Sequence, residues 1–135
     1  QTIANAMDVG DPSNFARIYD LYHGSYEKIK SLISGATYSD SQIRTTMKDC
    51  YDKHGYVLDP HGACGYQALV DLLEDGETGV FCETAHPAKF KETVENAINA
   101  EIKIPERLAE FMKGTKKSVP MTNQFDDFKA FLMKE

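Results

Sequence analysis

The sequence predicts an α/β layer structure, one segment over residues 1–135, with short parallel strands packed by several helices. Three observations carry this. Most of the chain shows apolar residues at three- and four-residue spacing. Two short β-prone runs, Tyr56-Val57-Leu58 and Val80-Phe81-Cys82, interrupt that pattern. Each run is followed by a turn and then by a helix signal, and strand–helix alternation of this kind builds parallel α/β layers.

The elements follow in order. Asp11 is a good N-cap, Pro12 suits a first helical position, and Phe15, Ile18, Tyr22, Ile29, Leu32 and Ile33 form one stripe, so a single helix is expected up to Gly35. A second helix is expected from Ser39 to His54. Ser39 and Gln42 make a capping-box pattern, Ile43, Met47 and Cys50 share a face, and Gly55 terminates it. The run at Val57 leads through Asp59-Pro60-His61-Gly62 into a third helix, with Tyr66, Leu69, Val70 and Leu73 inward. Asp75 to Gly79 is a turn, and the run at Val80 is the best candidate for a buried strand. Pro87 opens a helix with Phe90, Val94, Ala97 and Ile98 inward. Pro105 opens a short helix ended by Gly114, and a terminal helix near Asn123 carries Phe125, Phe128, Phe131 and Leu132. Two short strands make a thin sheet, and parallel strands require cover on both faces. The segment is therefore expected to complete a larger sheet, and to self-associate through the surface near Val57, Leu58, Val80 and Phe81.

Composition narrows the function. Fifteen Lys and Arg against twenty-one Asp and Glu give a net charge of −6, which argues against a nucleic-acid partner. No apolar run is long enough to cross a bilayer, so no membrane partner is expected. The chain opens on Gln1 rather than Met, which reads as a fragment boundary. Cys50, Cys64 and Cys82 are odd in number and lack scaffold spacing, which points to reduced thiols and a cytoplasmic setting.

Both strand-end loops carry polar residues beside tight turns, where ligands collect in open α/β sheets. Gly62 and Gly65 would let a ligand or backbone approach closely. The plainer reading is that Thr84 or His86 only organises the turn before Pro87. His61-x-x-Cys64 and Cys82-x-x-x-His86 have the look of two zinc half-sites, but the repeated cysteine pairs that make such motifs specific are missing. No metal is expected, and Cys64 and Cys82 are read as packing residues. A cysteine nucleophile paired with His61 lacks a third, orienting group.

The stretch Thr84-Ala85-His86-Pro87-Ala88-Lys89-Phe90 resembles the signature near the C-terminus of threonine synthases. Two other blocks agree in order: Asn5-Ala6-Met7-Asp8-Val9-Gly10-Asp11-Pro12-Ser13-Asn14-Phe15-x-Arg17, and Asp59-Pro60-His61-Gly62-Ala63 followed by Gly65-Tyr66 and Ala68-Leu69. The resemblance covers almost the whole chain. It implies the C-terminal part of a pyridoxal-phosphate (PLP) enzyme of fold type II. Such enzymes convert O-phospho-L-homoserine and water to L-threonine and phosphate, which makes the family a set of carbon–oxygen lyases of amino-acid biosynthesis.

In that family the Schiff-base lysine lies upstream in a Phe-Lys-Asp context, and so does the phosphate-cradling loop. Neither is present here, and Lys89 takes no covalent role. The resemblance therefore implies no catalytic lysine in this chain, no activity or bound PLP for the piece alone, and a missing N-terminal part as its partner. Thr84 matches the hydroxyl residue beside the PLP ring nitrogen, where a neutral partner limits the charge on the ring. His86 and His61 match cofactor-cleft residues. Asp8, Ser13, Asn14 and Arg17 fall in a signature segment that faces the cleft or, for Asn14 and Arg17, caps and packs the first helix, which is the commoner arrangement. The alternatives are a non-catalytic interaction module on the same fold and a small zinc protein.

Overall fold

The structure is a computed structural model that describes residues 2–5 and 11–134. Asp8, one of the signature positions, lies outside the described residues, as do its neighbours 6, 7, 9 and 10. The chain divides into two compact units, Gln1–Lys103 and Ile104–Glu135.

In the first unit the helices are α1 (Phe15–Leu21), α2 (Tyr26–Leu32), α3 (Asp40–His54), α4 (Pro60–Leu72) and α5 (Lys91–Ile98), with a 3₁₀ turn at Pro87–Phe90 leading into α5. The single helix expected over residues 11–35 is two. His23 (φ 52°) and Gly24 (φ 68°) adopt left-handed backbone, which no helix continues through, and Ser25 then caps α2 by accepting from the Lys28 amide. Asn14, not Asp11, stands at the N-cap of α1, and its side chain makes no capping bond. Arg17 and Ser13 are exposed.

The capping box of α3 is present in full. Ser39 accepts from the Gln42 amide, and the Gln42 side chain accepts from the Ser39 amide at 2.9 Å. Gly55, in left-handed backbone (φ 65°), ends the helix. One face of α3 supplies Ile43, Met47 and Cys50 to the core. Leu58 from the following linker, Ala63 from α4, and Val94 and Ile98 from α5 complete it. Thr46, buried on the same helix, satisfies its hydroxyl by donating to Gln67 Oε1 on α4 at 2.8 Å.

The α/β expectation is overturned. No residue among those described belongs to a strand, and this unit is a layer of helices joined by extended linkers. The β-prone runs at 56–58 and 80–82 are each three residues long. A strand exists only as a member of a hydrogen-bonded ladder, and no backbone hydrogen bond pairs either run with another segment among the described residues. Leu58 is nevertheless fully buried, so its apolar character serves the helical core instead of a sheet. Cys82, expected in a buried strand, is exposed. The inward face of α4 also differs from expectation. Pro60, Gly62 and Ala63 are its buried residues, whereas Val70 is 58% exposed.

The second unit holds α6 (Glu106–Met112) and α7 (Phe125–Leu132) joined by an extended segment, and neither helix has a buried residue. No helix among the described residues is long and apolar enough to cross a membrane.

Candidate functional site

The polar residues that follow Leu58 gather at the first turn of α4. Asp59 is the N-cap of this helix and Pro60 its first residue, an arrangement that pre-sets the backbone for helix entry. Asp59 Oδ1 accepts from the amides of His61 (2.5 Å) and Gly62 (2.9 Å). The side chain is fully buried, yet its second oxygen, Oδ2, has no hydrogen-bond partner among the described residues. His61 turns its ring back over the cap. Its Nδ1 is buried 3.5 Å from Asp59 Oδ1, while the side chain as a whole is 34% exposed. The other side of the ring rests on Phe90, with centroids 5.2 Å apart and planes tilted by 53°.

Glu83 closes the corner. Its carboxyl sits against Gly62, where a Cβ would meet both carboxylate oxygens, so the absence of a side chain at this position leaves the Glu83 carboxyl room to lie here. Partial desolvation of that carboxyl beside Gly62, on a residue that is exposed as a whole, reinforced by the charge of Asp59, pushes its pKa above the ordinary value of 4.5. The same corner pushes up the pKa of its neighbours. Burial and then Glu83 raise Cys50, burial and then Asp59 raise Cys64, and burial followed by Glu83, Cys50 and Asp59 raises Tyr56. This is the opposite of the electropositive setting that activates a thiol. Cys64 instead donates its Sγ–H to the Pro60 carbonyl at 3.4 Å, one turn back along the helix. Among the described residues, no group of three or more His, Cys, Asp and Glu side chains converges as a metal site would require.

His86 is the N-cap of the 3₁₀ turn and accepts from the Ala88 amide through Nδ1 at 3.1 Å. The sequence left open whether this residue serves the turn or a ligand, and the ring is oriented by the turn. It also lines a recess of about 290 Å³ with Tyr51, Val57, Pro87, Glu101, Ile102 and Lys103. Thr84 is exposed, and its hydroxyl makes no hydrogen bond to any described residue. The three residues singled out in the sequence are thus joined through one short element. His86 starts the 3₁₀ turn, Phe90 ends it against His61, and Thr84 lies two residues ahead of it. They do not share one enclosed cavity. A larger recess of about 470 Å³, lined by Cys50, His54, Tyr56, Tyr66 and Phe81, lies on the apolar side of the same corner. Asp59 and Glu83 were not anticipated as site residues. The Asp-Pro pair at a helix start is the signal that locates the first, while nothing local marks the second.

Comparison with known proteins places the chain in a family. Residues 62–132 match the family described as threonine synthase, C-terminal. The threonine synthase of Haemophilus influenzae is 41% identical over 133 residues, covering 98% of this chain and 31% of its own length. That of Serratia marcescens is 39% identical over 132 residues, with 98% and 30% covered. Among solved structures, the threonine synthase of Escherichia coli superposes with a TM-score of 0.78 at 36% identity over 98% of this chain and 30% of that one. The PLP-bound threonine synthase of Brucella melitensis, at 23% identity and a TM-score of 0.71, shares the fold.

The chain belongs to the threonine synthase C-terminal family. It spans about 30% of the length of these curated relatives.

Proposed function

We propose that this chain forms one wall of the cofactor cleft of a PLP-dependent threonine synthase, a lyase that converts O-phospho-L-homoserine and water to L-threonine and phosphate. The family match over residues 62–132 carries the reading, and it favours an enzyme piece over a separate interaction module. The residues present suit the cofactor. Thr84 offers an exposed hydroxyl with no partner among the described residues, as expected of a group reserved for the ring nitrogen. His61 and His86 each hold one ring nitrogen against the protein and leave the other edge for a ligand.

When bound, PLP supplies the electron sink for the elimination and replacement chemistry. The chain's own contribution is positional. The Thr84 hydroxyl, being neutral, accompanies the ring nitrogen without forcing it to stay protonated. The corner at Asp59 and Glu83 fixes the start of α4, and His61 and His86 line the approach. The Schiff-base lysine and the phosphate-binding loop belong to the rest of the enzyme, which is the main partner of this wall. Exposed apolar residues such as Val80, at 84%, support either that docking or self-association. Three cysteines without a disulfide suit a cytoplasmic enzyme.

The test is direct. Supplied with PLP and O-phosphohomoserine, these 135 residues alone are expected to release no threonine or phosphate. Turnover that disappears when a lysine of this chain is replaced would overturn the reading.

A further inference from the structure

The two histidines of the site are held by opposite kinds of group. His86 Nδ1 receives a proton donor, the Ala88 amide, at 3.1 Å, so this nitrogen must carry its lone pair and the neutral ring keeps its proton on Nε2. For His61, Nδ1 faces an acceptor, Asp59 Oδ1, at 3.5 Å. No donor among the described residues reaches that nitrogen, and it is buried from water. A lone pair facing a buried carboxylate is repelled, whereas an N–H is attracted, so the neutral His61 ring places its proton on Nδ1. The ring is about one-third exposed while Nδ1 is not, and Phe90 covers one face, so its accessible polar atom is Nε2.

We propose that the site presents its two histidines in complementary tautomers, His86 as an outward N–H donor and His61 as an outward lone-pair acceptor, with Asp59 as the positioning residue that sets His61. This deepens the cofactor-cleft reading and rests on it for its significance. The ligand chemistry that follows is a split one. The His86 edge suits an anionic or carbonyl oxygen, and the His61 edge suits a group with a proton to give, such as water, a hydroxyl or an ammonium. Asp59 serves two ends at once, because Oδ1 caps α4 and faces Nδ1, which ties the ring's orientation to the helix start. The Glu83 carboxyl lies beside Gly62 in the same first turn of α4.

The experiment is long-range ¹H–¹⁵N correlation NMR on ¹⁵N-histidine-labelled protein at its full native length, at a pH where the imidazoles are neutral. The signals of His61 and His86 are assigned by their loss in His61→Gln and His86→Gln. The expected result is a protonated Nδ1 in His61 and a protonated Nε2 in His86. Asp59→Asn retains a capping oxygen and removes the charge, and it is expected to raise the Nε2-protonated fraction of His61 and leave His86 unchanged. Finding the two wild-type rings in the same tautomer would overturn the proposal, whatever the enzyme's activity. An Asp59→Asn variant with the His61 pattern unaltered would remove Asp59 from the positioning role. Because the readout is spectroscopic, a wrong assignment of the reaction would leave these outcomes intact, and the two failures remain distinguishable.

Discussion

Helices α3 and α7 carry comparable apolar stripes, and only one of them makes a core. In α3, Ile43, Met47 and Cys50 are almost completely removed from solvent because α4 and α5 present faces to receive them. In α7, the apolar and polar residues are segregated more sharply, yet Phe125 is 72% exposed and Leu132 is 63% exposed. The contrast shows that periodicity states what a helix is able to bury, and neighbours decide whether it does. Within these residues the burial that stabilises the fold is concentrated in α3, α4 and α5, the same elements whose ends shape the site.

The largest effect that tests this contrast is a core truncation. Met47→Ala should cost about 2–5 kcal/mol of unfolding free energy, the usual range for emptying a packed site. Phe128→Ala on α7 should cost less than about 1 kcal/mol, as for other substitutions away from a core. Urea denaturation monitored by circular dichroism gives both. Equal costs would mean that α7 is covered in solution.

The next effect concerns helix starts. Asp59→Ala removes a cap that accepts two amides and should cost about 1–2 kcal/mol, with Asn restoring most of it. Ser39→Ala should cost about 1 kcal/mol by opening the capping box. Asn14→Ala on α1, where no capping bond exists, should be close to silent. A silent Asp59→Ala would remove the helix entrance as the organiser of the site.

The smallest effects depend on pH and have opposite signs. The Lys91 side chain, followed by the Ile102 amide, lowers the pKa of Glu95. Its folded-state value therefore lies below its unfolded one, so Glu95 stabilises the fold above about pH 4.5 and loses that contribution as pH falls through the folded value. Glu83 is raised by burial and by Asp59, so its ionised form is disfavoured in the fold. That penalty is present above its folded value and vanishes as pH falls to 4.5 and below. Glu95→Gln should therefore destabilise at neutral pH, and Glu83→Gln should be neutral or stabilising there. Both should converge on the parent in acid. Melting temperatures between pH 4 and pH 7 decide it, and a Glu83→Gln variant weakened at neutral pH would contradict the crowded-carboxyl account.

Much of the helical frame was legible in the sequence, because its signals are local. Ser39 with Gln42, Gly55, and the Val94 and Ile98 pair each announce their role within one or two turns. The break at His23 and Gly24 was missed because the stripe through Phe15, Tyr22 and Ile29 runs across it, and a left-handed pair is not visible in periodicity. The two strands were misread because Val57, Leu58, Val80 and Phe81 have strand propensity, while a strand also requires a ladder that no nearby segment supplies. For the candidate site, the polar residues after each run pointed to the loops that carry His61, Thr84 and His86. The meeting of Asp59 and Glu83 across Gly62 depends on residues more than twenty positions apart, which no local pattern encodes.

The central claim is that this wall meets the cofactor through Thr84, and substitution at that residue in the full-length enzyme tests it most directly. Thr84→Ala is expected to lower turnover roughly 5- to 150-fold, the equivalent of one lost buried hydrogen bond of about 1–3 kcal/mol, and to shift the PLP absorption spectrum. Thr84→Ser should restore both, and Thr84→Asp should favour a protonated ring nitrogen and redirect the reaction. Normal rates and unchanged cofactor spectra in the Ala and Asp variants would show that Thr84 is only a turn residue and would contradict the account.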